Sequence, residues 1–233
     1  MKVGKKKIVC EGVEEVIWNG EELDWVKTDT REYLRGVGVK YLLNRYFEEG
    51  WLKILEKYAP QKRYRLGLII PCSYGKPYSQ SFIHYKIREI IKDFIRNGDI
   101  HEIIVTNAGV IPRELDEYWP FCAYDWNPKY ENEAIRECYT QVLAYRLEHY
   151  LRVHGGSYVS LASYLRWDSD SWKAVNLVSE RINREIPNLA PVSVPRDEVE
   201  EASLNGLYED PDLVLITPTA LRNLRKGIES LLR

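Results

Sequence analysis

One short stretch of this sequence combines most of the side chains that could do chemistry. Residues 71–84 hold a thiol, an ammonium group, a phenol, several hydroxyls and an imidazole within fourteen residues. The thiol is Cys72, the ammonium group belongs to Lys76, and the imidazole is His84. A thiolate is a strong nucleophile, and an imidazole can carry the protons that a nucleophilic addition moves. The stretch is therefore the first candidate for an active site.

The residues on either side of this stretch predict a strand followed by a helix. The apolar residues 66–70 come directly before it and are typical of a buried parallel strand. Isoleucines recur after it at helical spacing, from Ile83 to Ile91, which predicts an amphipathic helix over about 80–97. The stretch then lies at the carboxyl end of a strand, where α/β proteins bind their ligands.

Strands and helices alternate along the rest of the chain, which predicts a parallel sheet covered on both faces. The predicted strands are 66–71, 101–106, 158–162, 191–194 and 213–216. The predicted helices are about 80–97, 131–153, 170–185 and 218–232. The fold class is therefore α/β.

The first sixty residues have a different pattern. Residues 1–30 predict short strands with a hairpin turn at Asn19-Gly20, and residues 31–58 predict a helix. Ala59-Pro60-Gln61 then interrupts the chain. We therefore predict two parts, an N-terminal strand and helix appendage at 1–60 and an α/β catalytic-type domain at 61–233.

Composition limits the classes of function. The 233 residues are 45% hydrophobic, enough for one substantial core, and the formal net charge of −2 provides no broad basic field for nucleic acid. Any RNA contact must come from local basic patches. No stretch reaches the roughly 20 apolar residues of a membrane span, and the lysine-rich start lacks the apolar core of a signal peptide. A soluble, cytoplasmic protein is expected.

The cysteines suggest neither a metal site nor a disulfide framework. They are four in number, widely spaced and without a C-x-x-C pair: Cys10, Cys72, Cys122 and Cys138. This pattern argues against a zinc ribbon, an iron–sulfur site and a disulfide-stapled fold. We expect no metal and no cofactor.

A second chemistry-bearing segment follows the second predicted strand. Residues 107–130 form an unusually long connection for a compact domain, and such connections tend to be functional. The segment contains Arg113, Glu114, Tyr124 and Asp125. Because the carboxyl ends of neighbouring parallel strands lie side by side, both loops should line one crevice.

Together the two loops resemble the archaeosine synthase family of archaeal tRNA-modifying enzymes. The family signature is P-C, three residues, K-P-Y, two residues, S, two residues, H. Every specified position is matched, by Pro71, Cys72, Lys76, Pro77, Tyr78, Ser81 and His84. The segments Gly109–Leu115 and Tyr124-Asp125 also resemble that family, and the likeness covers roughly residues 64–165. One departure is Ala123, where the family tends to have histidine.

The resemblance implies a three-layer α/β/α sandwich with a mostly parallel sheet, like that of uracil-DNA glycosylases. It also implies an amine addition to the nitrile of 7-cyano-7-deazaguanine, already installed in the D-arm of tRNA, with free lysine as the amine donor. Full-length family members also carry a transglycosylase-like barrel and an RNA-binding module, for which this chain is too short. A partner protein would then supply them.

The resemblance gives the site residues their expected roles. Cys72 would attack the nitrile as a thiolate, its pKa lowered by the helix that follows and by Lys76, unless the amine attacks directly and Cys72 only lines the pocket. His84 and Asp125 would carry protons. Lys76 would hold a phosphate or the carboxylate of the donor. The remaining expected substrate contacts are Tyr78, as a stacking face for a base, with Ser81, Arg113, Glu114 and Tyr124.

Each of these residues also has a structural interpretation. Cys72 is equally typical of a small buried residue at a strand end, and His84 of a hydrogen-bonded histidine near a helix start. Ser81 is as suited to capping the helix as to binding substrate. Arg113 and Glu114 are interpreted as a structural ion pair that fixes the loop.

Two other functions compete with the enzymatic one. The chain could be a non-catalytic tRNA-binding or adaptor subunit of a split synthase, which Ala123 and the missing modules favour. It could also be a nucleic-acid glycosylase, but the G-Q-D-P-Y-like and His-Pro-Ser loops of those enzymes are absent from the sequence.

Overall fold

Strands and helices follow one another largely as the sequence predicts. This computed structural model describes Cys10, residues 26–28 and residues 31–233. The strands are β1 (Val26–Thr28), β2 (Arg31–Arg35), β3 (Tyr64–Pro71), β4 (Ile100–Thr106), β5 (Gly109–Pro112), β6 (Tyr124–Asp125) and β7 (Tyr158–Ser163). The helices are α1 (Val39–Leu42), α2 (Arg45–Lys57), α3 (Phe82–Arg96), α4 (Glu133–His154), α5 (Asp170–Arg181), α6 (Arg196–Ala202) and α7 (Pro218–Leu231).

The apolar run before the candidate thiol is a central strand of the main sheet. The order of strands is β5-β4-β3-β7, with β3 parallel to both β4 and β7 and β5 antiparallel to β4. Ile70 pairs with Ile104 and Ile69 with Ser163. The carboxyl ends of three parallel strands therefore meet at one edge. The sheet is mostly parallel, as predicted.

Helices cover both faces of this sheet. The chain passes from β3 to β4 through α3, and later crosses back to β7 through α4. These crossovers run in opposite directions along the sheet, so the right-handed rule places α3 and α4 on opposite faces. Helix α4 packs with α2 and α5, and α3 packs with α7. Every residue of β4 is buried, as expected when both faces are covered. A mixed α/β architecture is thus confirmed, and its likeness to uracil-DNA glycosylases stays a prediction.

The region before the main sheet is only partly the helix that was predicted. Residues 31–35 form β2, which pairs with β1 and, in parallel, with β6. The helical pattern begins at α1 and continues in α2, where Asn44 caps the first turn by accepting a hydrogen bond from the Tyr46 amide. The predicted hairpin at Asn19-Gly20 lies outside the described residues. The division of the chain at residue 60 stays a prediction.

Two predicted strands near the end of the chain are wrong. Residues 191–194 have no regular structure, and residues 213–216 belong to the 3-10 helix Pro211–Ile216. The Asp210 side chain caps that helix by accepting a hydrogen bond from the Asp212 amide at 2.9 Å, and Pro211 occupies its first turn. Both predictions rested on short apolar runs, which have no periodicity that separates a strand from a helical turn or a loop. Residues 191–194 are also not buried as a strand of the sheet would be, since Val192 is 83% exposed.

Two of the cysteines are paired, which corrects the expectation from their spacing. Cys10 and Cys138 form a disulfide although 128 residues separate them. Spacing along the chain does not limit this pair, because the fold brings Cys10 against buried Cys138 on α4. Cys72 and Cys122 take no part in this disulfide. None of the described helices is long and apolar enough to cross a membrane.

Candidate active site

Cys72 lies where β3 leaves the sheet. Its amide donates a hydrogen bond to the Val105 carbonyl at 3.1 Å, which extends the pairing with β4 by one residue beyond Pro71. The partly exposed side chain then faces a cavity of about 610 Å³ at the carboxyl edge of the sheet. This is the position in an α/β fold where a ligand is expected.

The cavity is built by the connections that follow the parallel strands. Asn107 comes from the end of β4, and Leu165, Arg166 and residues 169–171 follow β7. Residues 207–212 close the cavity from the carboxyl-terminal part of the chain. Its aromatic walls are Tyr74, Tyr124, Trp126, Tyr139 and Tyr208. Flat walls around a polar floor suit a planar ring that carries polar substituents.

Lys76 lies among aromatic rings in the loop after Cys72. Its Nζ is 4.2 Å from the ring centroid of Tyr124 and 5.8 Å from that of Tyr78. It also donates to the carbonyl of Tyr74 at 3.3 Å. Burial lowers the pKa of Lys76, and the neighbouring Cys72 and Asp125 partly offset that effect. The ammonium group is therefore held in the cavity wall rather than in open solvent.

The expected lowering of the Cys72 pKa is wrong. The Lys76 charge does lower it, but burial is the largest effect, and the carboxylates of Asp212 and Asp210 act in the same direction as burial. The net result raises the pKa of Cys72 to about 12. The thiol is protonated at neutral pH and needs a neighbouring base before it can act as a nucleophile.

The two tyrosines of the motifs have different positions. The Tyr124 ring lines the cavity, whereas Tyr78 is fully buried behind it. Their hydroxyl oxygens are 2.5 Å apart. Tyr78 therefore supports the wall and has no ring face open to a base, so the expected stacking role does not fit this structure.

His84 is not brought to the cavity. Its side chain is completely buried on α3, where Nδ1 contacts the Arg113 guanidinium and the ring stacks 5.5 Å from that of Tyr78. Burial and then the Arg113 charge hold the pKa of His84 well below its usual value. A neutral, enclosed imidazole fits the structural interpretation better than proton transfer at the cavity.

Arg113 and Glu114 lie away from the crevice, because β5 runs antiparallel to β4 and carries the chain back toward the amino end of that strand. Arg113 pairs with Glu102 at 2.8 Å and with Asp116 at 3.0 Å. Glu114 pairs with His101 at 2.9 Å. Neither lines the cavity, and the predicted ion pair between the two is replaced by pairs with other residues.

His101 and Tyr58 hold the carboxylate of Glu114 in place. Burial raises its pKa, but the hydrogen bond and charge of His101 and the hydrogen bond from Tyr58 outweigh that effect and lower the pKa to about 2. Glu114 therefore remains ionised over the neutral range and helps to hold the 3-10 helix Arg113–Leu115 against the sheet.

Asp125 and Ser81 lie next to the cavity without lining it. Tyr124 in β6 and Trp126 directly after it line the cavity, whereas Asp125 between them pairs with Arg35 at 3.3 Å. The Ser81 hydroxyl accepts a hydrogen bond from the His84 amide at 3.2 Å and so caps α3. The capping interpretation of Ser81 fits this geometry.

Sequence reasoning missed the acidic side of the cavity. Asp212 accepts a hydrogen bond from Arg166 Nε at 2.7 Å and faces the same space as Cys72. Burial raises the pKa of Asp212 to about 6, against the opposing charge of Arg166. Glu131, whose pKa burial also raises, and Asp170 lie nearby. A signal did exist for Arg166, because it follows a predicted parallel strand and therefore lies at the same sheet edge.

Three or more metal-binding side chains do not converge anywhere in the described part of the chain. The cavity instead combines a thiol, an ammonium group and carboxylates. That set suits acid–base and nucleophilic chemistry on an organic substrate.

Comparison with known proteins supports the resemblance of the motifs. The chain is similar to three proteins named archaeosine synthase subunit alpha. The protein from Thermococcus kodakarensis is 37% identical over 82 residues, which are 34% of this chain and 13% of that protein. The protein from Thermoplasma acidophilum is 42% identical over 77 residues (30% and 14%), and that from Methanosarcina acetivorans 38% over 74 residues (31% and 11%). The matched parts thus span only about a seventh of these relatives or less.

The fold also has a solved counterpart. The crystal structure of AF0587, a protein of unknown function, superimposes with a TM-score of 0.50 over 77% of this chain and 49% of that chain, at 19% identity. Residues 43–162 match the family model described as a domain of unknown function, DUF5591. This match includes Cys72 and Lys76 but ends before Arg166 and Asp212. The family model spans more than half of the chain, and the three relatives agree with the motifs: the chain belongs to the DUF5591 family and resembles the archaeosine synthases.

Proposed function

We propose that this chain takes part in archaeosine biosynthesis by adding an amine to the nitrile of 7-cyano-7-deazaguanine in tRNA. Free lysine is the proposed donor. The observation that carries the proposal is the convergence of Cys72, Lys76 and Asp212 on one aromatic-walled cavity. The three relatives named archaeosine synthase subunit alpha support the tRNA-modifying context.

The cavity supplies what a nitrile addition needs. In the proposed reaction the Cys72 sulfur bonds to the nitrile carbon, and one electron pair of the triple bond moves to nitrogen, which takes up the proton of the thiol. The donor amine then adds to the same carbon, the carbon–sulfur bond breaks, and the departing thiolate takes a proton from the amine. The net result is an amidine, formed without any oxidant or further co-reactant.

Asp212 is the proposed proton carrier in place of His84. The Cys72 thiol is protonated at neutral pH, so a base in the same cavity must accept its proton as the sulfur attacks. With a pKa of about 6, Asp212 is mostly ionised at pH 7 and is close to the value at which a side chain both accepts and returns protons efficiently. Its ion pair with Arg166 fixes the carboxylate in place.

The acidic character of the cavity supports an amine as the second substrate. Glu131, Asp170 and Asp210 line it together with Asp212. Carboxylates favour a cationic donor such as lysine, and Lys76 is a cation in the cavity wall to which the donor's carboxylate is proposed to bind. A partner protein is proposed to supply the transglycosylase-like and RNA-binding modules that full-length family members carry. The alternative is that this chain is a non-catalytic adaptor subunit of such a complex.

The activity is tested by incubating the protein with labelled lysine and tRNA that carries 7-cyano-7-deazaguanine. After digestion, we expect a nucleoside heavier by the full mass of lysine, because an addition expels no leaving group. The matched control is the same tRNA with guanine at that position, which has no nitrile and should gain no label. A wild-type protein that binds this tRNA but transfers no label would favour the adaptor role.

Asp212→Asn should lower kcat/KM by about 10²-fold or more, the usual contribution of a positioned general base. In the wild type, kcat/KM should rise with pH through about 6, because only the ionised carboxylate accepts a proton, and this limb should disappear in the variant. The measurement is the pH profile of both proteins. Asp168→Asn is the control, since Asp168 also pairs with Arg166 but is largely exposed and does not line the cavity. Identical profiles for Asp212→Asn and wild type would exclude the assigned role.

A further inference from the structure

A second cavity opens beside the first. It has a volume of about 720 Å³ and lies between the start of α3, helix α6 and the loop that follows α6. Four residues line both cavities: Ser73, Tyr74, Tyr208 and Asp210. The reactive cavity, which is the one lined by Cys72 and Asp212, and the second cavity are therefore neighbours, with Tyr74 and Tyr208 at their common boundary.

Large aromatic side chains stand exposed around this second cavity. Tyr74 is 63% exposed, Phe82 58% and Tyr208 57%. Leu204, also on the cavity wall, and Leu207 beside it are exposed as well. An exposed apolar patch of this kind on a folded chain marks a binding surface.

We propose that the second cavity binds the RNA next to the target nucleotide, with Tyr74, Phe82 and Tyr208 as stacking faces for unpaired bases. This inference rests on the proposed function, since it requires that the first cavity hold a base of a polynucleotide. It adds a binding site in a part of the chain that includes residues beyond the family match.

The common boundary of the two cavities is the first argument. A base that enters the reactive cavity stays joined to its neighbours through phosphodiester bonds, so those neighbours must rest just outside. Tyr74 and Tyr208 are shared by both cavities and are placed where the next base emerges. RNA-binding proteins hold such splayed bases by stacking them on aromatic rings.

The charge of the chain is the second argument. A net charge of −2 gives little general attraction for phosphates, so a chain of this kind needs contacts with bases. Stacking provides affinity of that type for any base sequence. Lys86 is the cation at this surface, with its Nζ 5.5 Å from the Phe82 ring centroid, and it can meet the phosphate between stacked bases.

The other end of the cavity is unsuited to a phosphate. The start of α7 already holds the Glu198 carboxylate, which accepts hydrogen bonds from the Thr219 amide and hydroxyl, both at 2.7 Å. The RNA backbone should therefore run along the side of α3 and Lys86, with the bases turned toward Tyr74 and Tyr208.

The test measures binding of an unmodified tRNA transcript to the full chain at several salt concentrations. Tyr74→Ala, Phe82→Ala and Tyr208→Ala should each weaken binding by about 5- to 100-fold, the range for loss of one stacked base. The slope of affinity against salt should stay unchanged, since no phosphate contact is removed. Thermal unfolding of each variant checks that these exposed side chains do not affect folding.

The chain provides matched controls. Tyr118 is 64% exposed and Tyr85, on the same helix as Phe82, is 57% exposed, and neither lines either cavity. Tyr118→Ala and Tyr85→Ala should bind RNA as the wild type does. Equal losses in both groups, or no loss in either, would overturn the proposal and leave the second cavity as a protein-binding surface.

The RNA-binding test and the lysine-transfer test can fail independently of each other. Binding of an unmodified transcript requires no nitrile and no lysine. Selective loss of binding in the three variants would support the RNA surface even if the wild type transferred no lysine. Conversely, lysine transfer with unchanged binding in all variants would support the reaction and overturn the RNA surface.

Discussion

Cys72→Ala should reduce lysine transfer to cyano-modified tRNA by about 10³-fold or more, the scale at which enzymes lose activity when a covalent nucleophile is removed. The reason is that the nitrile carbon is a weak electrophile and the thiol is the strongest potential nucleophile lining the cavity. The rate is measured under single-turnover conditions, so that product release does not hide the chemical step. After the reaction is quenched before the amine is added and the RNA is digested with nuclease, mass spectrometry of the wild type should show the protein heavier by the trapped nucleotide.

The other cysteine outside the disulfide, Cys122, is the control for this experiment. Cys122 is partly exposed like Cys72 but does not line the cavity, so Cys122→Ala should retain the wild-type rate. Full activity in Cys72→Ala would exclude the covalent route and leave direct attack by the amine, with the thiol as part of the wall.

Arg113→Met should lower the free energy of unfolding by about 3–5 kcal/mol, the usual cost of removing one partner from a buried ion pair. Arg113 contacts the carboxylates of Glu102 and Asp116, each only 3% exposed, and the His84 ring. Methionine fills much of the same space but leaves these carboxylates with too few donors. Urea unfolding of the wild type and the variant gives the difference.

An exposed ion pair provides the control for this stability measurement. Arg196 pairs with Glu200 at 2.8 Å but is 92% exposed, so Arg196→Met should change stability by less than about 0.5 kcal/mol. A loss below about 1 kcal/mol in Arg113→Met would show that the buried pairs contribute little. A lower kcat/KM in a variant of unchanged stability would instead return Arg113 to the substrate-binding role expected from its motif.

The main sheet could be predicted because its elements have strong periodic patterns. β3 is an apolar run of strand length, β4 and β7 are rich in apolar residues, and α3, α4, α5 and α7 lie close to their predicted bounds. The strand predictions failed at the end of the chain, where an Asp-Pro pair begins a 3-10 helix within a short apolar run. There the capping interaction of Asp210 decides the structure, and hydrophobicity alone does not reveal it.

The candidate site could be predicted in part, for a reason of geometry. Because the carboxyl ends of parallel strands share an edge, the sequence predicted that Cys72, Lys76 and Tyr124 lie close together, and all three line the cavity. The same reasoning failed for Arg113 and Glu114, because the segment after β4 contains an antiparallel strand that reverses the direction of the chain. It also failed for His84, since only the packing of α3 against the sheet reveals which side of that helix is enclosed. The raised pKa of Cys72 was equally hidden, because burial cannot be read from neighbours in sequence.

Two separate parts of the sequence form the walls of the cavity. This arrangement affects how related proteins could diversify. The wall with the thiol and Lys76 lies within the family match, whereas the wall with Arg166 and Asp212 follows it. Changes in the second wall need not disturb the strand end that presents the nucleophile. Related chains could therefore keep the same nucleophile at the end of β3 while the other wall changes to bind a different substrate.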